Sequence, residues 1–110
     1  MRQYKTLDDY KVAGAWMRLC KAVLARTHVE CSKILNARTS DLFFTLEKKL
    51  DILCSRSEDE MFDTYPTLPN GYLDVFFGNL SDQPRTDTDQ EIIELAKKLV
   101  EKLFGENWEK

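Results

Sequence analysis

Residues 7–35 read LDDYKVAGAWMRLCKAVLARTHVECSKIL, and the spacing of apolar residues in this stretch decides the fold. Ala13, Met17, Cys20, Leu24, Cys31 and Leu35 follow one another at steps of three, four or seven, which keeps them on one helical face. Val12, Trp16, Leu19 and Val23 widen that face over the first half. A stripe this wide implies a helix packed against two neighbours. Thr6 precedes Asp8 and Asp9, a cap and two acids suited to the positive end of a helix. The expectation is one long helix over 7–35, with a break near Thr27 and His28 as the alternative.

Working outward, Asn36 reads as a stop for that helix, and Thr39 or Ser40 as the cap of a second. Phe43, Leu46, Leu50 and Leu53 then line one face, so a helix is expected over 40–54. Ser57-Glu58-Asp59-Glu60 has the form of a capping box, which predicts a short separate helix ending before Pro66. Residues 64–71 form a turn-rich connector. Leu73, Phe76, Phe77 and Leu80 fit helical spacing better than strand alternation, which gives a second short helix. Thr88-Asp89-Gln90-Glu91 is another capping box, and Ile92, Leu95, Ala96, Leu99 and Leu103 repeat at helical steps up to the stop at Gly105. The fold class is therefore all-α: a small bundle of three main helices, near 7–35, 40–54 and 89–104, plus two short ones.

The chain of 110 residues fits one domain over 1–110, with no internal repeat or linker. It is 43% hydrophobic and 32% charged, enough apolar material for a core and enough charge for a solvated surface. No run is apolar enough for a membrane span and no secretory signal is visible, so a cytoplasmic location is expected. Cys20, Cys31 and Cys54 are odd in number and lack C-x-x-C spacing, so reduced thiols are expected, with Cys20 and Cys31 buried on the first helix. Charge is uneven: residues 1–56 carry 11 Lys and Arg against 6 Asp and Glu, and residues 57–110 carry 5 against 13. Such asymmetry marks either a charged partner surface or two halves that neutralise each other in the fold, and the second reading is preferred.

The residues offer little chemistry. His28, Cys31, Cys20 and Cys54 could be imagined around zinc, but cysteines on an apolar stripe behave as small hydrophobes. Glu60 with Asp63, and Glu91 with Glu94, place paired acids on helix faces as helical magnesium-dependent nucleotide hydrolases do, yet first-turn acids are favoured for dipole reasons alone. No phosphate loop or nucleophile elbow is present. Residues 29–45 can be laid on a helix-turn-helix, with Ser32 as the small packing residue, Asn36 at the turn and Leu42 buried. Arg38 and Ser40 would then stand near the start of the second helix, with Lys48 and Lys49 farther along, as DNA-contacting residues. Phe43 and Phe44 count against this, since a recognition helix shows polar side chains.

The run from Asp9 to Leu19, Glu58-Asp59-Glu60-Met61-Phe62, and Tyr72-Leu73-Asp74-Val75-Phe76-Phe77-Gly78 together resemble small uncharacterised bacterial helical proteins, some of them carried on mobile elements. The resemblance implies a bacterial cytosolic accessory protein and carries over no activity or site. The reading reached from the residues is a non-enzymatic interaction or regulatory module without a cofactor. Its expected partner is a protein or a second copy of the chain, giving a homodimer. Tyr65, Tyr72, Phe76, Phe77 and Trp108 lie outside the three strong helices and are the candidate partner-binding residues; the reading weighed against this, and preferred for Phe76 and Phe77, is that they plug the open end of the bundle as core. The alternatives are the DNA-binding regulator and, after it, the hydrolase. Circular dichroism of the purified chain should show a helical spectrum; a β-dominated one would refute the fold class.

Overall fold

The computed structural model describes residues 6–77 and 83–104. Among them there is no strand. The elements are α1 (Leu7–Ser32), α2 (Ala37–Ser40), α3 (Leu42–Thr64), a 3₁₀ turn (Asn70–Asp74) and α4 (Asp87–Phe104). No helix among the described residues is long and apolar enough to cross a membrane.

The helix ends follow local chemistry. The Thr6 hydroxyl accepts from the Asp9 N–H at 3.1 Å, and the Asp9 carboxylate accepts from the Thr6 N–H at 2.9 Å, a reciprocal cap for α1. Asn36 does not simply stop α1, which ends at Ser32; its side chain accepts from the Thr39 N–H at 2.9 Å and so caps α2. The short helix expected from Ser57 does not start there. The Ser57 hydroxyl donates instead to the Leu53 carbonyl at 2.8 Å, and α3 runs unbroken to Thr64. Cys54 and Met61, seven residues apart, are both fully buried, and their shared burial favours continuing the helix over restarting it. Of the second short helix, expected through Leu73, Phe76, Phe77 and Leu80, the described residues show the 3₁₀ turn Asn70–Asp74, and Leu80 lies outside the described residues. At α4, Thr86 rather than Thr88 accepts the Asp89 N–H, at 3.0 Å. The Gly105 stop lies outside the described residues.

α1 and α3 lie side by side and antiparallel. Tyr10 meets Thr64 at 3.1 Å, Met17 meets Cys54 at 3.9 Å, Lys21 meets Asp51 at 2.9 Å and His28 meets Glu47 at 3.2 Å, so each step forward on α1 is a step back on α3. α4 packs on a second face of α1, and the 3₁₀ turn packs on α4 and is reached from α1 by the Arg18 and Lys11 side chains. α1 thus has two neighbours, as its stripe predicted, and Ala13 and Met17 of that stripe pack on the core, but its most deeply buried positions lie outside the stripe. The buried positions of α1 are Tyr10, Gly14, Ala15 and Arg18. A Cβ on Gly14 would stand 2.3 Å from the Val75 carbonyl oxygen, so only glycine admits the backbone that follows the 3₁₀ turn.

Arg18 is 1% exposed and Asp89 is 2% exposed. An Arg18 Nη2–Asp89 Oδ1 distance of 2.7 Å ties the middle of α1 to the first turn of α4. Arg18 Nη1 also donates to the Asp74 carbonyl at 2.8 Å, so one guanidinium fastens the turn as well. The other Asp89 oxygen accepts the Arg85 N–H at 2.8 Å, and the Asp74 carboxylate takes Arg85 at 2.6 Å and the Thr86 hydroxyl at 2.9 Å. Nearer the start of α1, Lys11 donates to both oxygens of Glu91 at 3.0 Å. Among the described residues, the exposed Lys11–Glu91 pair and the buried Arg18–Asp89 pair thus join the basic half to the acidic half.

Two outcomes follow for stability. Gly14→Ala should cost about 1–3 kcal/mol, as overpacking does, read from urea unfolding. Burial alone would raise the Asp89 carboxyl, but the Arg85 N–H and the Arg18 guanidinium outweigh it and hold it below its ordinary value of 3.8. Its stabilising contribution is therefore complete above 3.8 and is lost as pH falls from there through the lower folded value. Arg18→Met should remove this acid-dependent component and cost about 3–5 kcal/mol at neutral pH, because the carboxylate stays buried without that partner. An unchanged acid-unfolding profile in Arg18→Met would contradict the assignment.

Candidate functional site

The aromatics expected to form a partner patch do not do so together. Phe76 is buried in the core and has no surface to offer a partner. Tyr65 and Tyr72 are half-buried and packed against that core, Tyr65 edge-on to Tyr10 at 6.3 Å and Tyr72 beneath the Lys11 ammonium at 5.4 Å. Phe77 is also half-buried, with Lys21 4.9 Å from its ring centre. The close approach at Gly14 folds this segment onto α1, so it closes the bundle. Trp108 lies outside the described residues.

The residues laid on a helix-turn-helix are also rearranged. That motif crosses its helices at about 90–120°. Here residues 29–45 span the end of α1, all of α2 and the start of α3, which turns back alongside α1. Ser40 is buried and hydrogen-bonded to the Ser32 hydroxyl, so it cannot reach a base edge. Leu42, expected to be buried, is 63% exposed. Arg38, Lys48 and Lys49 are exposed.

The thiols divide by helical phase. All three cysteines are free; Cys54 is buried, Cys31 is half-buried and Cys20 is exposed. The expected burial of Cys20 and Cys31 is thus corrected. Cys20 lies about 200° around α1 from Arg18 at 100° per residue, on the side away from α4. His28 sits between α1 and α3, its Nδ1 3.2 Å from Glu47, stacked on Phe43 at 4.9 Å and edge-on to Phe44 at 4.7 Å. Among the described residues no three His, Cys, Asp or Glu side chains come together as a group that could hold a metal ion. Glu91, one of the paired acids, is engaged by Lys11. A cavity of about 320 Å³ opens between α1 and α3, lined by Lys21, Leu24, Ala25, Glu47, Leu50 and Asp51. Its lysine and Asp51 neutralise each other at 2.9 Å, leaving no free charge of Lys21 to fix a ligand.

The most distinctive surface is apolar. Val12, Trp16, Cys20 and Val23 stand at i, i+4, i+8 and i+11 on α1 and are all exposed. Leu42, Leu46 and Leu53 stand at i, i+4 and i+11 on α3 and are exposed too, with Lys49 in the i+7 place. Trp16 lies about 160° around α1 from Arg18, which reaches α4, and Leu53 lies about 180° around α3 from Phe62, which leans on the core. With α1 and α3 antiparallel, both stripes fall on the side of the layer away from α4. Exposures run from 39% at Val12 to 63% at Leu42, more than isolated surface hydrophobics require. The signal was present in the sequence as the extra width of the α1 stripe, which reads equally well as a second buried face.

Compared with known proteins, the chain matches no family, and neither a characterised protein nor a solved structure shows significant similarity to it. The site therefore rests on its own geometry.

In dilute solution Cys20 should react with a disulfide reagent at the rate of an unhindered thiol, while Cys54 should react only as the chain unfolds. Burial also pushes the Cys54 thiol above its ordinary 9.0, which lowers its reactive thiolate further. Single-cysteine variants assayed with and without denaturant would show this; a protected Cys20 in the dilute native chain would contradict the exposed placement of the α1 stripe.

Proposed function

We propose that this chain is a non-enzymatic helical interaction module that binds a protein partner through the outer face of the α1–α3 layer. The observation that carries the reading is the pair of exposed apolar stripes on neighbouring antiparallel helices. Exposed apolar rows on a helical layer mark interaction surfaces, and their Trp and Leu side chains are material for a desolvated interface centre. The buried ion-pair network supports the same reading, because all of its charged groups hold elements together. A cytosolic setting suits a chain with three free cysteines.

The test compares the full chain with Trp16→Glu and Leu53→Glu. Both sites are already about half exposed, so helicity and unfolding midpoint should change little. The native chain should bind an apolar fluorescent dye and associate with protein, itself or another, and both properties should drop at least about tenfold in the variants. Variants that keep both properties would overturn the reading. Binding to DNA at low salt that the face variants leave intact would instead favour the DNA-binding alternative.

A further inference from the structure

We propose that Cys20 and Cys54 form a reversible disulfide across the seam between α1 and α3. Cys20 is the thiol that a small external disulfide reaches, and Cys54 is the thiol that completes the bond. The interaction face plays no part in this inference.

Placement carries it. The Cys54 Sγ lies 3.9 Å from the Met17 Sδ, and Lys21 meets Asp51 at 2.9 Å one turn farther along the seam. Cys20 stands between Met17 and Lys21 on α1, so it lies within about one turn of the level of Cys54. It is about 60° around α1 from Met17, at the edge of the seam that α4 does not cover. Helices about 8–9 Å apart, as a residue as small as Cys54 allows, put the two α-carbons about 6–7 Å from each other. A disulfide spans about 4.4–6.8 Å. What shift remains falls on α1 beyond Arg18, where that helix has no buried residue. Cys20 is also near enough for its charge to act on the Cys54 thiol. Cys31 is excluded as a partner, since it lies about 16 Å farther along α1 than Cys20.

The two thiols are unequal in the way that such a bond needs. Cys20 is exposed and Cys54 is fully buried, so an outside reagent meets Cys20 first. The Cys20 thiolate attacks a low-molecular-weight disulfide: the external S–S bond breaks, a mixed disulfide forms and one thiolate leaves. Cys54 then gives up its proton and attacks the Cys20 sulfur, and the second thiolate leaves. The chain loses two electrons and two protons, and the external disulfide becomes two thiols. Burial raises the Cys54 thiol and slows the second step, which proximity offsets. Disulfides that come and go in this way are the kind found in reducing compartments. Once made, the bond fastens α1 to α3 where the stretch of α1 without buried residues begins.

The test treats the full chain, carrying Cys31→Ser, with an aromatic disulfide reagent and counts the aromatic thiolates released. The native fold should release two per chain, the second at a rate independent of reagent concentration. The product should keep its helical spectrum, have the mass of a single chain with no reagent attached, and regain both thiols with dithiothreitol. Adding Cys54→Ala should leave one release and a reagent group held on Cys20. Adding Cys20→Ser instead, a change at an exposed site that keeps the test decisive if Cys54→Ala fails to fold, should give none until the chain is denatured. A single release from the native fold with the reagent retained would overturn the proposal. So would a disulfide that joins two chains, or a release from native Cys20→Ser as fast as from the parent.

Discussion

A charge pair inside the protein organises the rest of it. Arg18 and Asp89 are both almost inaccessible, and the guanidinium also holds the Asp74 carbonyl. Burying ions is costly, so the pair is weak grounds for claiming stability. Its clearer effect is on geometry. An apolar helix face can slide along another with small losses, whereas an arginine that must meet one carboxylate and one carbonyl cannot. The pair therefore fixes where α4 and the 3₁₀ turn meet α1. Gly14, one turn away, lets the backbone at Val75 come close enough for the carbonyl to be reached.

That anchoring shapes the surface. All buried positions of α1 lie between Tyr10 and Arg18, and beyond Arg18 the helix continues to Ser32 with none. α3 accompanies it, contributing only Cys54 and Met61 to the buried set. The far half of the hairpin is held instead by polar and aromatic contacts: Lys21 with Asp51, and His28 with Glu47, Phe43 and Phe44. A two-helix layer covered on one side has an outer face that nothing among the described residues buries. The apolar stripes on that face follow from the architecture, and the functional reading follows from the stripes.

The placement of the candidate site was partly legible in advance. The extra apolar width of α1 was visible, but width does not say which neighbour lies where. Cys20 and Val23 read as core because they follow Met17 and Trp16 at helical steps. The rotation of α1 about its axis was set by Arg18 and Gly14, neither of which any hydrophobic pattern would select. Phe76, in an irregular segment, allowed two readings, partner surface or a plug for the bundle's open end, and irregular backbone folded inward over a glycine decides for the plug.

The sequence by itself determined the helices, their approximate ends and the all-α class, because apolar spacing and side-chain caps act within a few residues along the chain. Its local errors differ in kind: near Thr88 a neighbouring hydroxyl, that of Thr86, is the one used, whereas at Ser57 the helix continues where a new start was expected. Only the tertiary structure decided which face of each helix is inside. That choice depends on contacts between residues far apart in the chain, 56 positions for Arg18 and Asp74. It was made by a buried charge and a missing side chain, since their partners exist only once the helices are together.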